Sequence, residues 1–241
     1  MNEFFDPVKL VLSGPRMIRF LRDWYTYRKI TGAEQIRLLD VWPQVHSRTT
    51  TTLFDPHYFY ANAWAFRRIA AEHPHEHVDL ASQSNFVNLL SAVMPVTHVD
   101  YRPLPARLDG LYCVGADLTR LPFPDESLAS ISCLHVAEHI GLGRYGDPLD
   151  PQGTVKAAKE MVRVLSRGGS LYFALPIGTP RVAFNAHRIH NASTILEYFC
   201  GLSLREFSGV DDCGNFIEGV TTNRFDQNNY ACGMFWFQKT E

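Results

Sequence analysis

The sequence predicts an α/β fold over residues 75–241, a seven-stranded, mostly parallel sheet flanked by helices, preceded by a helical N-terminal extension over residues 1–74. Two observations predict it. From His77 onward, short runs of β-branched and aromatic residues alternate with helix-length amphipathic stretches, the sequence form of stacked βαβ units. Before that point apolar residues recur at helical spacing, interrupted by the polar, Thr-rich segment Ser47 to Thr52, which reads as a linker or loop.

In the extension, Pro7 to Ile30 carries apolar residues at helical spacing, Leu10, Leu12, Met17, Phe20, Leu21 and Trp24. Gly14-Pro15 is expected to break it into two helices, since proline removes an amide donor and crowds the preceding turn. Pro56 to Glu72 reads as a further helix, with Asp55 as its N-cap and Pro56 at the first helical position. Together these helices are expected to cap the main domain. The expected strands are Val78 to Ala81, His98 to Tyr101, Leu111 to Ala116, Ala129 to Leu134, Ser170 to Pro176, Leu204 to Val210 and Met234 to Lys239. Helices are expected over Phe86 to Val93 and Thr154 to Leu165, the second stopped at Arg167-Gly168-Gly169 by a left-handed glycine.

The 241 residues are 46% hydrophobic and 20% charged, an ordinary globular balance. A formal net charge of -2 argues against binding a nucleic-acid backbone, which calls for a basic face. No apolar run approaches the roughly 20 residues that span a bilayer, and Met1-Asn2-Glu3 lacks the positive start of a signal peptide. A cytoplasmic location is therefore expected. The five cysteines, Cys113, Cys133, Cys200, Cys213 and Cys232, are scattered without a C-x-x-C pair, so they read as free thiols.

Ligands of a doubly wound sheet bind beyond the carboxyl ends of its strands, so polar residues there are the ones to weigh. Asp79 lies in the first strand, Asp100 ends the second with Tyr101 after it, and Asp117 follows the third with Leu118 after it. A carboxylate such as that of Asp100 offers two acceptor oxygens to two adjacent ribose hydroxyls, and Asp117 can accept from an adenine amino group. Each taken alone also reads as a solvated loop aspartate.

The run from Gly115 to His139, with Asp117, Leu121-Pro122-Phe123, Asp125, Ser127, His135 and Glu138-His139, closely resembles a block of the class I S-adenosylmethionine-dependent methyltransferases. Glu160-Met-Val-Arg-Val-Leu-Ser-Arg-Gly-Gly169, leading into the fifth strand, resembles a second block of that family; Ala129 stands where it usually has aspartate. A narrower resemblance, to the DUF268 family, rests on His139-Ile-Gly-Leu-Gly-Arg-Tyr-Gly-Asp-Pro-Leu-Asp-Pro151 and on Pro176 to Arg188. These resemblances imply a Rossmann-like fold and S-adenosylmethionine as cofactor, held by Asp79, Ala81, Ser82, Gln83, Asp100, Tyr101, Asp117, Leu118 and His135. They also make Arg144, Tyr145, Asp147, Asn185, His187 and Arg188, on glycine-rich loops after strands four and five, candidates for contact with a small-molecule or glycan substrate. The bland reading of the first loop is that Gly141, Gly143, Gly146 and Pro148 simply shape a tight turn. The DUF268 association points toward polysaccharide biosynthesis.

One segment departs from the methyltransferase pattern. Where that family carries a D-x-G-x-G-x-G loop, this sequence has Asp79-Leu-Ala-Ser-Gln-Ser-Asn85, with Ala81, Gln83 and Asn85 in place of the three glycines. Either the loop is reshaped and still binds the cofactor, or the domain has lost it. His135, after strand four, is the candidate catalytic base for a hydroxyl acceptor, and equally reads as a structural histidine. His135-Val-Ala-Glu-His139 also matches the H-x-x-E-H zinc motif, and His73-Pro-His-Glu-His77 is histidine-rich, but the context of each argues against metal and none is expected. The expected function is S-adenosylmethionine-dependent methyl transfer to a hydroxyl or amine. The competing expectation is an inactive scaffold or regulatory protein, with the N-terminal helices serving partner or homo-oligomer contacts.

Overall fold

A computed structural model describes residues 7–240, with side chains from residue 13 onward. Met1-Asn2-Glu3, on which the absence of a leader was read, and the side chains of Leu10 and Leu12 lie outside the described residues. The elements in chain order are α1 (Pro7–Tyr27), α2 (Pro56–Glu72), β1 (His77–Leu80), α3 (Ser84–Ser91), β2 (Val96–Asp100), β3 (Leu111–Gly115), β4 (Leu128–Leu134), α4 (Gly153–Val164), β5 (Leu165–Ile177), β6 (Arg181–Ala183), β7 (His187–Ile189), α5 (Ala192–Tyr198), β8 (Leu202–Val210), β9 (Phe216–Ile217) and β10 (Ala231–Lys239).

The chain forms two compact units, Met1–Phe54 and Asp55–Glu241. In the first, α1 runs unbroken with Pro15 inside it, where the sequence predicted two helices. Proline removes only one ladder bond, and the residues on either side continue the helix. Among described residues 13–54 none is buried, and Leu38, Leu39 and Trp42 are 76%, 87% and 81% exposed.

The second unit takes in α2, which the sequence grouped with the extension. Asp55 caps this helix by accepting from the amides of His57 and Tyr58, at 3.0 and 3.4 Å, with Pro56 at its start as expected. Its face of Ala61, Trp64, Ala65 and Ile69 is fully buried against the sheet. Glu206 on β8 pins it there, accepting from the Trp64 indole at 2.8 Å and from Arg68 at 2.9 and 3.2 Å. A helix that buries four residues belongs to the core it covers, so the compact unit starts at Asp55 rather than near residue 75.

The sheet has eight strands in the order β3-β2-β1-β4-β5-β10-β8-β9. The first five are parallel, and β10 runs antiparallel to both β5 and β8. All seven expected strands are present; the eighth is the two-residue edge strand β9, and β6 and β7 pair as a separate hairpin. Period-two alternation builds a core on each face. Leu171, Phe173 and Leu175 of β5 cluster with Met161 of α4, Ile195 of α5 and Phe199 just after it, while Tyr172 and Ala174 meet α2 and α3. Each large apolar side chain so buried contributes about 2–3 kcal/mol.

The expected helix stop at Gly168 is corrected. Helix α4 ends at Val164, and Leu165 is already extended. Gly168, at φ +73, sits instead where the β4–β5 ladder slips between the Leu128 and Ser130 pairings, so its left-handed backbone serves a bulge.

Candidate functional site

The chain builds β1, β2 and β3 to one side and β4 and β5 to the other, so the order reverses between β1 and β4. At such a switch point the loops beyond the strand ends diverge and leave a crevice. A cleft of about 130 Å³ opens there, lined by Ala81, Asp100, Tyr101, Asp117, Leu118 and Tyr145, with Arg102, His139 and Asp147 beside them. Five of the nine expected cofactor residues therefore converge on one cavity.

Local hydrogen bonds orient its two carboxylates. Asp100 Oδ1 accepts from the Arg102 amide at 2.8 Å, and Asp117 Oδ1 accepts from the Thr119 amide and hydroxyl at 2.8 and 2.7 Å. These are Asx turns, which leave the second oxygen of each without a hydrogen bond among the described residues. Ala81 adopts φ +57, the left-handed conformation that its missing glycine would have supplied. The loop thus keeps the backbone shape while carrying a Cβ.

The other four expected cofactor residues are placed elsewhere. Asp79 is fully buried, and its carboxylate takes bonds from His98 Nδ1 at 3.0 Å, the Ser82 amide at 2.9 Å and the Ser132 hydroxyl at 2.5 Å. Burial opposes ionisation of Asp79, yet His98 and these hydrogen bonds outweigh it and hold the carboxyl below its ordinary value. Ser82 is buried and accepts from the Leu134 amide at 3.0 Å, so it ties the loop to β4. Gln83 is exposed and accepts from the Asn62 side-chain amide at 3.2 Å, outside the cleft lining.

His135 is also buried, at φ +58 directly after β4, a strained conformation for a non-glycine residue. Its Nδ1 faces Glu138 Oε1 at 3.5 Å and its Nε2 faces Cys232 Sγ at 3.4 Å. Burial opposes its protonation, but the Cys232 sulfur and then Glu138 outweigh that and push its pKa up to about 10. The segment from His135 to His139 is a turn rather than a helix, so the two histidines do not share a helical face as the zinc motif requires. Glu138 lies between them, 3.5 Å from His135 and 3.7 Å from His139.

Of the expected substrate residues, Tyr145 lies over the cleft with the Arg102 guanidinium 4.4 Å and the Arg144 guanidinium 5.2 Å from its ring centre. Asp147 closes its own loop by accepting from the Gly141 amide at 2.6 Å and the Tyr145 amide at 3.2 Å. Gly141, at φ +79, is required there, because a Cβ would collide with the Asp150 carbonyl. Arg188 is buried and donates to the carbonyls of Ile140 and Asp150, so it braces this loop from β7. Arg144 donates to the Ala186 carbonyl at 3.0 Å, and Asn185 is exposed on the β6–β7 hairpin.

His187 packs 5.0 Å from Tyr230, which stacks on His57 at 5.1 Å, and Tyr58 packs on His135 at 4.6 Å. Burial, with the charge on His135, pushes the His57 pKa down to about 4. Sequence reasoning missed His57 and Tyr58, from α2, Tyr230, just before β10, and Cys232 in β10. No local spacing signals them, because only the fold brings those segments to the end of β4.

A family model described as "Caenorhabditis protein of unknown function, DUF268" matches residues 125–229. That match covers less than half of the chain. The matched segment runs from just before β4 to just before β10 and contains the cleft-lining loop that carries Tyr145 and Asp147. No curated protein matches the chain.

Solved structures show the fold. The Burkholderia thailandensis 1,6-didemethyltoxoflavin-N1-methyltransferase, solved with 1,6-didemethyltoxoflavin and S-adenosylhomocysteine, matches with a TM-score of 0.55 at 12% identity, over 80% of this chain and 94% of its own. The N-methyltransferase NodS of Bradyrhizobium japonicum, solved with S-adenosylhomocysteine, gives 0.52 at 15% identity, over 76% and 88%. The [4+2]-cyclase SpnF gives 0.55 at 11% identity, over 75% and 81%. The architecture is that of the class I methyltransferases, and SpnF carries a cyclase name on the same fold.

Proposed function

We propose that the chain is an S-adenosylmethionine-dependent methyltransferase acting in the cytoplasm on a hydroxyl or amine of a small molecule or glycan precursor, within polysaccharide biosynthesis. One observation carries the reading: Asp100, Asp117 and the left-handed Ala81 converge on a single cleft at the switch point of the sheet. The fit to the nucleoside half is direct. Asp100 would hold the ribose hydroxyls and Asp117 the adenine amino group, with Tyr101 and Leu118 as apolar walls.

The methionine half fits less completely, since Asp79 and Ser82 are engaged inside the fold. It falls to the Ala81 backbone and the cleft beneath Tyr145. Small-molecule sites usually run from about 300 Å³ upward, so the ≈ 130 Å³ cleft takes a whole cofactor once Tyr145 and its loop swing aside. The bound cofactor supplies an electrophilic methyl; the chain contributes proximity and orientation. Both ring nitrogens of His135 face protein groups, so a base role for it requires the Glu138 or Cys232 contact to open.

Isothermal titration of the full chain with S-adenosylhomocysteine tests this reading. Saturable one-site binding, weakened about tenfold or more by Asp100→Ala, is expected. No heat at millimolar ligand would sink it. A scaffold role is the second reading, favoured by the exposure of Leu38, Leu39 and Trp42 in the N-terminal unit. It predicts self-association or partner binding that the Leu39→Ser, Trp42→Ser double variant abolishes in size-exclusion chromatography.

A further inference from the structure

Three side chains from distant parts of the sequence meet beside the cleft. His57 in the first turn of α2, His135 after β4 and Cys232 in β10 each bring a ligand atom within 4.8 Å of the others. His135 Nε2 and Cys232 Sγ are 3.4 Å apart. Two ligands of one tetrahedral zinc ion stand roughly 3.5 Å apart, given Zn–N near 2.0–2.1 Å and Zn–S near 2.3 Å. This pair is therefore at chelating separation as it stands, and a His57 ring nitrogen lies within 4.8 Å of both atoms.

The surroundings of His135 give an independent indication. Its other ring nitrogen faces the Glu138 carboxylate at 3.5 Å. In carboxylate–histidine–metal triads that arrangement holds the proton on the nitrogen facing the carboxylate and presents Nε2 to the metal, so metal binding here releases the second ring proton of His135. Glu138 is 1% exposed, and its Oε2 has no hydrogen-bond partner. A buried carboxylate with an unsatisfied oxygen is poorly accommodated unless a cation lies nearby. The same contacts resemble a cysteine–histidine–glutamate catalytic triad, but Cys232 is fully buried, where no substrate carbonyl could reach its sulfur.

We propose that His57, His135 and Cys232 bind a divalent metal ion of the zinc class, with Glu138 as the outer carboxylate that orients His135. Two imidazoles and a thiolate suit such borderline-soft ions, and three protein ligands leave a fourth position for water. Tyr58 and Tyr230, packed on His135 and His57, flank the cluster. Metal binding does not rest on the methyltransferase reading. The site departs from the expectation of no metal and owes nothing to the H-x-x-E-H spacing, since His139 is not among its ligands.

The test uses the full chain, stripped with chelator and titrated with cobalt(II) and zinc(II) without S-adenosylmethionine. One equivalent is expected, with the visible bands of tetrahedral cobalt and a sulfur-to-cobalt charge-transfer band. Cys232→Ser should abolish that band, and both it and His57→Ala should weaken binding about tenfold or more. The double variant His73→Ala, His75→Ala, in the exposed histidine-rich segment, should bind as the parent does. Because a core variant can fail to fold, X-ray absorption on the zinc-loaded parent decides independently: one sulfur and two imidazoles in the first shell support the site. No retained metal, a first shell without sulfur, or unchanged binding by Cys232→Ser overturns it. S-adenosylhomocysteine titration of the stripped chain reports separately on the methyltransferase reading.

Discussion

Acidification probes the buried polar network that joins β1 to β4. His77 is fully buried, with its ring nitrogens 2.8 Å from Ser130 Oγ and 2.8 Å from Ser132 Oγ. Burial, opposed by Asp79, pushes its pKa down to about 4, whereas in the unfolded chain it titrates near 6.5. Between those values the native protein binds fewer protons at this site than the unfolded chain does. The stability held by the neutral imidazole is therefore fully present above about pH 6.5 and is lost as pH falls toward 4. Linkage over that interval gives a loss of about 2 kcal/mol between roughly pH 7.5 and pH 5. In a domain of this size that corresponds to a fall in Tm of about 4–8 °C. His98 acts in the opposite sense, since Asp79 outweighs burial and raises its pKa, so its contribution is present at low pH and is lost as pH rises. His57 and His190 are shifted in the same direction as His77, which is why a variant comparison is needed. His77→Gln keeps a hydrogen-bonding amide and removes the titration. Urea unfolding of parent and variant at several pH values should show the parent losing about 2 kcal/mol more than the variant between pH 7.5 and 5. Equal losses in the two proteins would refute the assignment.

Three further outcomes are expected. Ala81→Gly relieves a left-handed alanine at φ +57, so it should leave stability unchanged or raise it by up to about 1 kcal/mol, where alanine to glycine elsewhere in the fold costs about that much; a loss above about 1 kcal/mol in thermal unfolding contradicts the loop geometry. Glu206→Ala strands the Trp64 indole and leaves the largely buried Arg68 paired with Glu218 alone, and should destabilise by about 1–3 kcal/mol; a change under about 0.5 kcal/mol would show that α2 is held by apolar contacts alone. A chain starting at Asp55 should retain a cooperative thermal transition, whereas one starting at residue 75 loses the buried face of α2 and should not fold; two equally cooperative products would move the boundary back to residue 75.

The sheet was legible because its strands are apolar runs such as Ser170 to Pro176, whose alternation survives at any register. Strands β6, β7 and β9 were not, since runs of two or three residues are too short to show a period. Pro15 and Gly168 misled for a common reason: each marks a local conformation, and the sequence does not say which element will absorb it. In the site, Asp100 and Asp117 were readable from their positions after strands, while Asp79, one strand over, is turned inward by His98 and Ser132. His57 and Cys232 were beyond sequence reading, because their meeting with His135 depends on α2 and β10 packing at the end of β4.

That the cleft between β1 and β4 is a nucleoside site is tested by a crystal structure of the chain grown with S-adenosylhomocysteine. The ribose hydroxyls should lie within hydrogen-bond reach of Asp100 and the adenine amino group within reach of Asp117, with Tyr145 displaced from its place over the cleft. Ligand bound away from both carboxylates, or a cleft still closed by Tyr145 at saturating ligand, would contradict it.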